Sequence, residues 1–149
     1  MIHGLDTGFL VAAEVVEHAS HADAHALLTR FAAAGDSFAI APQVLAEFIH
    51  VVSDSRRFSQ PLTVADAIRL AEEWWTARDV TMIYPDDSAT RQFLAWLKQH
   101  SLGRKRLLDT FLAATYRKAG ISSILTTNPS DFATFGGFTC VAPIPLRSE

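Results

Sequence analysis

The strongest constraint in this sequence is the alternation of short apolar or β-branched runs with longer helical patterns. Five segments read as strands: Met1–Leu5, Phe38–Ala41, Val80–Tyr84, Ile121–Leu125 and Phe138–Val141. Helical patterns fill the intervals. One begins near Thr7, and a second covers His21–Ala34 and closes near Gly35. Pro42 suits the first turn of a third, where its missing N–H costs nothing; that helix carries Val44, Leu45, Phe48, Ile49, Val51 and Val52. Thr63-Val64-Ala65-Asp66 has capping-box spacing, with Asp in place of Glu, and opens a helix to about Arg78. Asp86, Asp87 or Ser88 caps the next, which holds Phe93, Leu94 and Leu97 and ends near Gly103. A further helix spans about Lys105–Ala119, with Arg117 and Lys118 in its last turn and Gly120 just beyond. Thr126–Asp131 reads as a turn.

Strands separated by helices require right-handed crossovers, so the fold class is α/β with a mainly parallel sheet covered on both faces. At 149 residues, with no repeat or linker, one domain covers residues 1–149. Hydrophobic residues at 49% against 19% charged supply a sizeable core and exclude general disorder. The single Cys140 excludes an internal disulfide framework and a multi-cysteine zinc site, as suits a reducing compartment. No apolar run reaches the roughly 18 residues of a membrane span, and no signal peptide is visible. The expected location is therefore cytoplasmic, with no membrane partner. Parallel sheets of this kind bind ligands beyond the carboxyl ends of their strands, so the residues after Leu5, Ala41 and Leu125 draw attention first.

The formal net charge is -3, from 13 Lys+Arg against 16 Asp+Glu. That argues against a nucleic-acid binder working by charge alone, but not against an enzyme that reaches phosphates through metal ions. Glu14, Glu17, Glu72 and Glu73 sit on polar stretches and read as solvated surface. Four other acids do not fit so easily. Asp6 directly follows the first strand, where it either caps a helix or points into the ligand crevice. Glu47 lies on a largely apolar helix, where an ionised side chain needs a basic partner or a metal. Asp109 lies among apolar residues; Lys105 and Arg106 can pair with it, but exposed pairs contribute only about 0.3–0.5 kcal/mol. Asp131 closes the turn after the fourth strand, which it and Asn128 can simply shape. A parallel sheet would gather all four carboxylates at one edge, where they would repel one another unless a cation were present. Oxygen donors without Cys or an obligatory His favour Mg²⁺ or Mn²⁺ over zinc. His18, His21 and His25 can share a helix face, but lack the further ligands of a zinc site. Asp6-Thr7-Gly8 also spells the aspartic-protease triplet; at least five good helix patterns argue against that β-rich fold.

Four segments carry a family resemblance: Leu5-Asp6-Thr7-Gly8-Phe9-Leu10, Leu45-Ala46-Glu47-Phe48, Leu108-Asp109-Thr110-Phe111-Leu112-Ala113-Ala114, and Leu125-Thr126-Thr127-Asn128-Pro129-Ser130-Asp131-Phe132, the last preceding Ala142-Pro143-Ile144-Pro145-Leu146. In order and separation the chain resembles a PIN-domain ribonuclease of the VapC toxin type, over nearly its whole length. The resemblance implies a three-layer α/β/α sandwich around a central, mainly parallel sheet of four or five strands. It implies a Mg²⁺- or Mn²⁺-dependent endoribonuclease, cleaving single-stranded or structured RNA as the toxin of a toxin–antitoxin pair. The implied metal ligands are Asp6, Glu47, Asp109 and Asp131. Thr7 holds the family's small hydroxyl position. Asn128 stands where many members carry Asp, so a role in positioning water or phosphate fits it better than direct ligation. The implied partners are RNA, a cognate antitoxin and a second copy in a homodimer.

Arg104-Lys105-Arg106, and more weakly Arg56 and Arg57, are candidates to steer an RNA backbone, against the simpler reading of solvated charge. Trp74, Trp75 and Trp96 read first as core and second as a groove for a partner. The alternative function is a non-catalytic interaction module whose acidic pocket receives a basic residue of another protein.

Overall fold

The computed structural model describes residues 1–144. Pro145 and Leu146 of the C-terminal motif lie outside the described residues. Five strands, β1 (Ile2–Leu5), β2 (Ser37–Ile40), β3 (Val80–Met82), β4 (Ser123–Leu125) and β5 (Thr139–Val141), form one sheet in the order β3-β2-β1-β4-β5. All four pairings are parallel. The helices are α1 (Thr7–Glu14), α2 (His21–Ala33), α3 (Pro42–Val52), α4 (Val64–Thr76), α5 (Asp87–Gln99), α6 (Leu107–Lys118) and α7 (Pro129–Ala133). The central strands carry near-continuous apolar runs because helices cover both their faces: β1, β2 and β4 are buried along almost their whole length, whereas edge strands β3 and β5 stay partly exposed.

The chain steps outward from β1 to β2 to β3, then returns through α5 and α6 to place β4 on the other side of β1. Because crossovers are right-handed, reversing direction moves the helices to the opposite face. Accordingly α1 packs on α2 and α3, and α3 on α4, while α5, α6 and α7 form the second layer. The order of the sheet reverses between β1 and β4, and a crevice opens beyond their carboxyl ends at such a point.

Local chemistry sets the element ends. Thr63 caps α4 by accepting the Asp66 N–H at 3.1 Å, and Asp86 caps α5 by accepting that of Ala89 at 2.7 Å. Arg104–Arg106 form a separate 3-10 turn, so α6 begins at Leu107 rather than Lys105. Pro129 opens α7, so the segment expected to be a turn through Asp131 becomes helical after Asn128. Trp96 is buried against Phe135, with ring centroids 4.5 Å apart. Trp74 donates its indole N–H to Glu14 at 2.7 Å, so Glu14 is a half-buried acceptor rather than free surface charge.

One packing constraint reaches directly under the crevice. Tyr116 of α6 is fully buried, and its hydroxyl donates to the Leu5 carbonyl at 2.6 Å, with that of Ala39 at 3.1 Å. Burial pushes its phenol further above its ordinary range, and the charge of Asp6 adds to this, so it stays a neutral donor. Its ring lies across Gly4, where a Cβ would meet ring carbons at 2.8 Å. Gly4→Ala is therefore expected to destabilise the fold by about 1–3 kcal/mol. Urea denaturation checks this: an unchanged midpoint would show that the strand can move away from the ring.

Candidate functional site: an acidic cleft at the β1–β4 junction

Helices in a parallel α/β fold run back against the strands, so their N-termini lie at the carboxyl edge of the sheet. Three of the singled-out acids sit at such ends. Asp6 is the N-cap of α1, and Asp109 and Asp131 are in the first turns of α6 and α7. The positive end of a helix dipole favours a carboxylate there. Glu47 reaches the same place from within α3. Asp6, Thr7, Glu47, Asp109, Asn128 and Asp131 all line one open cleft of about 550 Å³.

Asp6 is the most constrained of them, with only 7% of its surface exposed. Its main-chain N–H donates to the Leu125 carbonyl at 3.0 Å, extending the β1–β4 ladder past the end of the strand. One carboxylate oxygen accepts the Thr7 N–H at 2.8 Å and the other the Thr126 hydroxyl at 2.7 Å. The Thr7 hydroxyl donates to Glu47 at 3.2 Å, tying α1 to α3 across the cleft. Asn128 is exposed at the rim, its N–H bonded to the Thr126 hydroxyl at 3.0 Å.

Two of these carboxyls are displaced by burial and by one another. Burial pushes the Asp6 carboxyl up to about 6, against the pull of its hydrogen bonds to Thr126 and Thr7, and the charges of Glu47 and Asp131 add to the rise. Asp109 is pushed up to about 7, first by burial, then by the charges of Asp6 and Asp131 and by a hydrogen bond to Asp131. Among the described residues, no three His, Cys, Asp or Glu side chains converge closely enough to hold an ion as they stand. The donor set is nevertheless of the right kind. Carboxylate oxygens in a desolvated crevice suit a hard dication, whose charge would relieve the repulsion.

Several residues at the cleft carried little signal in the sequence. Thr126, fully buried, holds Asp6 and the turn after β4 together, but a Thr at a strand end looks like ordinary β-propensity. Gly8 lets Thr127 approach α1, since a Cβ there would meet the Thr127 hydroxyl at 2.5 Å. Phe58 and His18 line the cleft from loops, where periodicity says nothing.

The basic candidates separate. Arg106 turns inward and donates to the main-chain carbonyl of Asp131, and its Nε is buried without a partner. It therefore ties the α6 entry to α7 instead of facing solvent, while Arg104 and Lys105 stay exposed. Arg56 and Arg57 both pair with Asp54, and only Arg57 lines the cleft. His21 stacks edge-on against His25 and bonds the Ala12 carbonyl at 2.9 Å, apart from the cleft that His18 lines.

The family model for the PIN domain matches residues 5–137. The chain therefore belongs to the PIN-domain family. Its fold is similar to that of Mycobacterium tuberculosis VapC20, a sarcin-ricin loop cleaving toxin, at TM-score 0.70 and 22% identity, covering 92% of this chain and 96% of that one. It is also similar to VapBC-1 from nontypeable Haemophilus influenzae (TM-score 0.62, 18% identity, 96% and 98% covered) and to a toxin–antitoxin complex from Klebsiella pneumoniae (0.64, 17%, 97% and 99%). No curated protein sequence matches the chain.

The raised carboxyls have a consequence for stability. A carboxyl whose folded value lies above its unfolded one leaves the folded state relatively more stable below about pH 4 and costs stability as pH rises through the folded value. Without metal, the penalty thus develops between about pH 4 and 7. Asp109→Asn removes part of it, and after allowance for the partial exposure of this group should raise Tm by about 2–4 °C at pH 7.5 in EDTA. At pH 4 the change should be much smaller. A melting series across pH checks this, and an equal shift at both values would refute it.

Proposed function

We propose that this chain is a Mg²⁺- or Mn²⁺-dependent endoribonuclease, its activity carried by the acidic cleft, and that it works in the cytoplasm as the toxin of a toxin–antitoxin pair. The observation that supports this most is the meeting of Asp6, Glu47, Asp109 and Asp131 at the sheet's reversal point in a PIN-family chain. Asp6, Asp109 and Asp131 would hold the metal, with Glu47 contributing directly or through water. A bound dication would neutralise charge on the scissile phosphate and make a water easier to deprotonate.

The chain's own residues prepare that site. Thr7 N–H and the Thr126 hydroxyl fix both oxygens of Asp6 while leaving lone pairs free. The Thr7 hydroxyl orients Glu47. Arg106 holds the α7 backbone so that Asp131 faces Asp109. Asn128, at the rim, is placed to donate to a phosphate or water rather than to bind the metal. A cognate antitoxin fits the same reading: the similar structures include toxin–antitoxin complexes, and a basic side chain from a partner could pair with the clustered carboxylates.

Asp6→Asn and Asp109→Asn should each stay folded and lose roughly 10²-fold or more of metal-dependent RNA cleavage. Full activity in EDTA, or in both variants, would sink the proposal. Thr126→Val keeps the shape but removes the hydroxyl that orients Asp6, and should lower activity about 10–100-fold. Titrating Mn²⁺ against cleavage rate would show whether that loss lies in metal affinity.

A further inference from the structure

The acidic cleft is longer than a metal site needs. From Thr7 and Gly8 it continues along α1 to Val11, and from Glu47 along α3 to Val51. Each step is about one helical turn, so the floor extends about 6 Å from the carboxylates. There it changes character. It becomes apolar between the two valines, and two loops close it, carrying His18 on one side and Arg57 and Phe58 on the other.

The two loops are structured and joined. Leu62 N–H donates to the Val52 carbonyl at 2.9 Å, closing the second loop at its base. Gln60 N–H donates to the Glu17 carboxylate at 3.3 Å, which links that loop to the one bearing His18. The His18 ring is oriented by Ser20, whose N–H donates to Nδ1 at 3.0 Å. An Nδ1 that accepts carries no proton, so in the neutral ring the proton sits on Nε2 as a donor. Burial, and then the neighbouring His21, lower the pKa of His18 and favour that neutral ring. Phe58 is half-buried against the core. Asp54 serves both Arg56 and Arg57, so one carboxylate faces two guanidiniums and the loop keeps an excess positive charge.

An aromatic ring, a fixed donor and a guanidinium beside an apolar floor are what a single unpaired nucleotide needs. The ring face stacks a base, the donor meets a base edge or ribose oxygen, and the cation meets a phosphate. We propose that Phe58, His18 and Arg57 form a nucleotide subsite, which seats one unstacked residue of a single-stranded RNA segment next to the bond held at the carboxylates. This rests on the ribonuclease reading above and adds to it which residues seat the nucleotide beside the cut. A duplex cannot use the subsite, because its bases are already stacked and paired.

The test is steady-state cleavage of labelled single-stranded RNA oligonucleotides in Mn²⁺ by the full chain. Phe58→Leu keeps an apolar side chain against the core but removes the π-face. It should raise KM about tenfold with kcat within about twofold, and Phe58→Tyr should restore KM. In the wild-type protein, an abasic residue at one position beside the cut should cause a similar loss, and that loss should not add to Phe58→Leu. His18→Gln and Arg57→Ala should weaken binding in the same direction. A wild-type protein that cleaves, with KM unchanged in Phe58→Leu and equal tolerance of abasic residues everywhere, would overturn the subsite alone. If no RNA is cut, the ribonuclease reading fails, and the subsite is judged by fluorescence anisotropy of the same oligonucleotides on Asp6→Asn protein. Binding that is weakened by Phe58→Leu then supports it, and binding indifferent to that change overturns it.

Discussion

The hydrogen bond from the Asp6 N–H to the Leu125 carbonyl joins two strands that are far apart in the chain, at the one place where the sheet reverses its order. The cleft is organised around that bond. It holds the Asp6 carboxylate at the edge of the sheet, and it sets Thr126 beside it to satisfy the second carboxylate oxygen. Beneath, the Tyr116 hydroxyl takes the Leu5 carbonyl, so α6, which carries Asp109 at its other end, is registered against the same strand. Asp131 follows from the same placement, since α7 starts a few residues after β4.

Electrostatics oppose this arrangement. A buried carboxylate loses its hydration, and nearby carboxylates add repulsion. The fold offsets part of the cost by placing three acids at helix N-termini and by giving Asp6 two hydrogen bonds. It does not remove the cost: Asp6 and Asp109 both hold protons well above the ordinary carboxylate range. A site that stores unfavourable charge in this way gains when a cation arrives, and carboxyls displaced in this way cluster at functional sites. The mild net charge of -3 conceals it, because the sum averages a local cluster over the whole surface.

Much of the fold was legible in the sequence because its signals are local. Capping by Thr63 and Asp86, proline at the start of α3 and the apolar runs of β1, β2 and β4 all act within a few residues. The departures came where tertiary contacts decide. The Pro129 segment winds into α7, which packs on α6, where turn chemistry alone suggested no helix. Arg106, in a basic triplet that resembles surface charge, is turned inward by the Asp131 carbonyl. Glu14 resembles any solvated glutamate until Trp74, sixty residues away, donates to it.

The sequence by itself determined the alternation of strand and helix, and with it a parallel sheet whose carboxyl edge would collect Asp6 and the residues after β4. It also marked Glu47 and Asp109 as out of place on apolar helices, and Asp6 and Asp131 as lying just past strand ends. Only the tertiary structure decided which residues position them, Thr126, Tyr116 and Gly8, and that the loops carrying His18, Arg57 and Phe58 line the same cleft. The physical reason is range. Periodicity and capping are written between residues a few positions apart, whereas hydrogen bonds, close approach and shared desolvation depend on which segments the folded chain brings into contact.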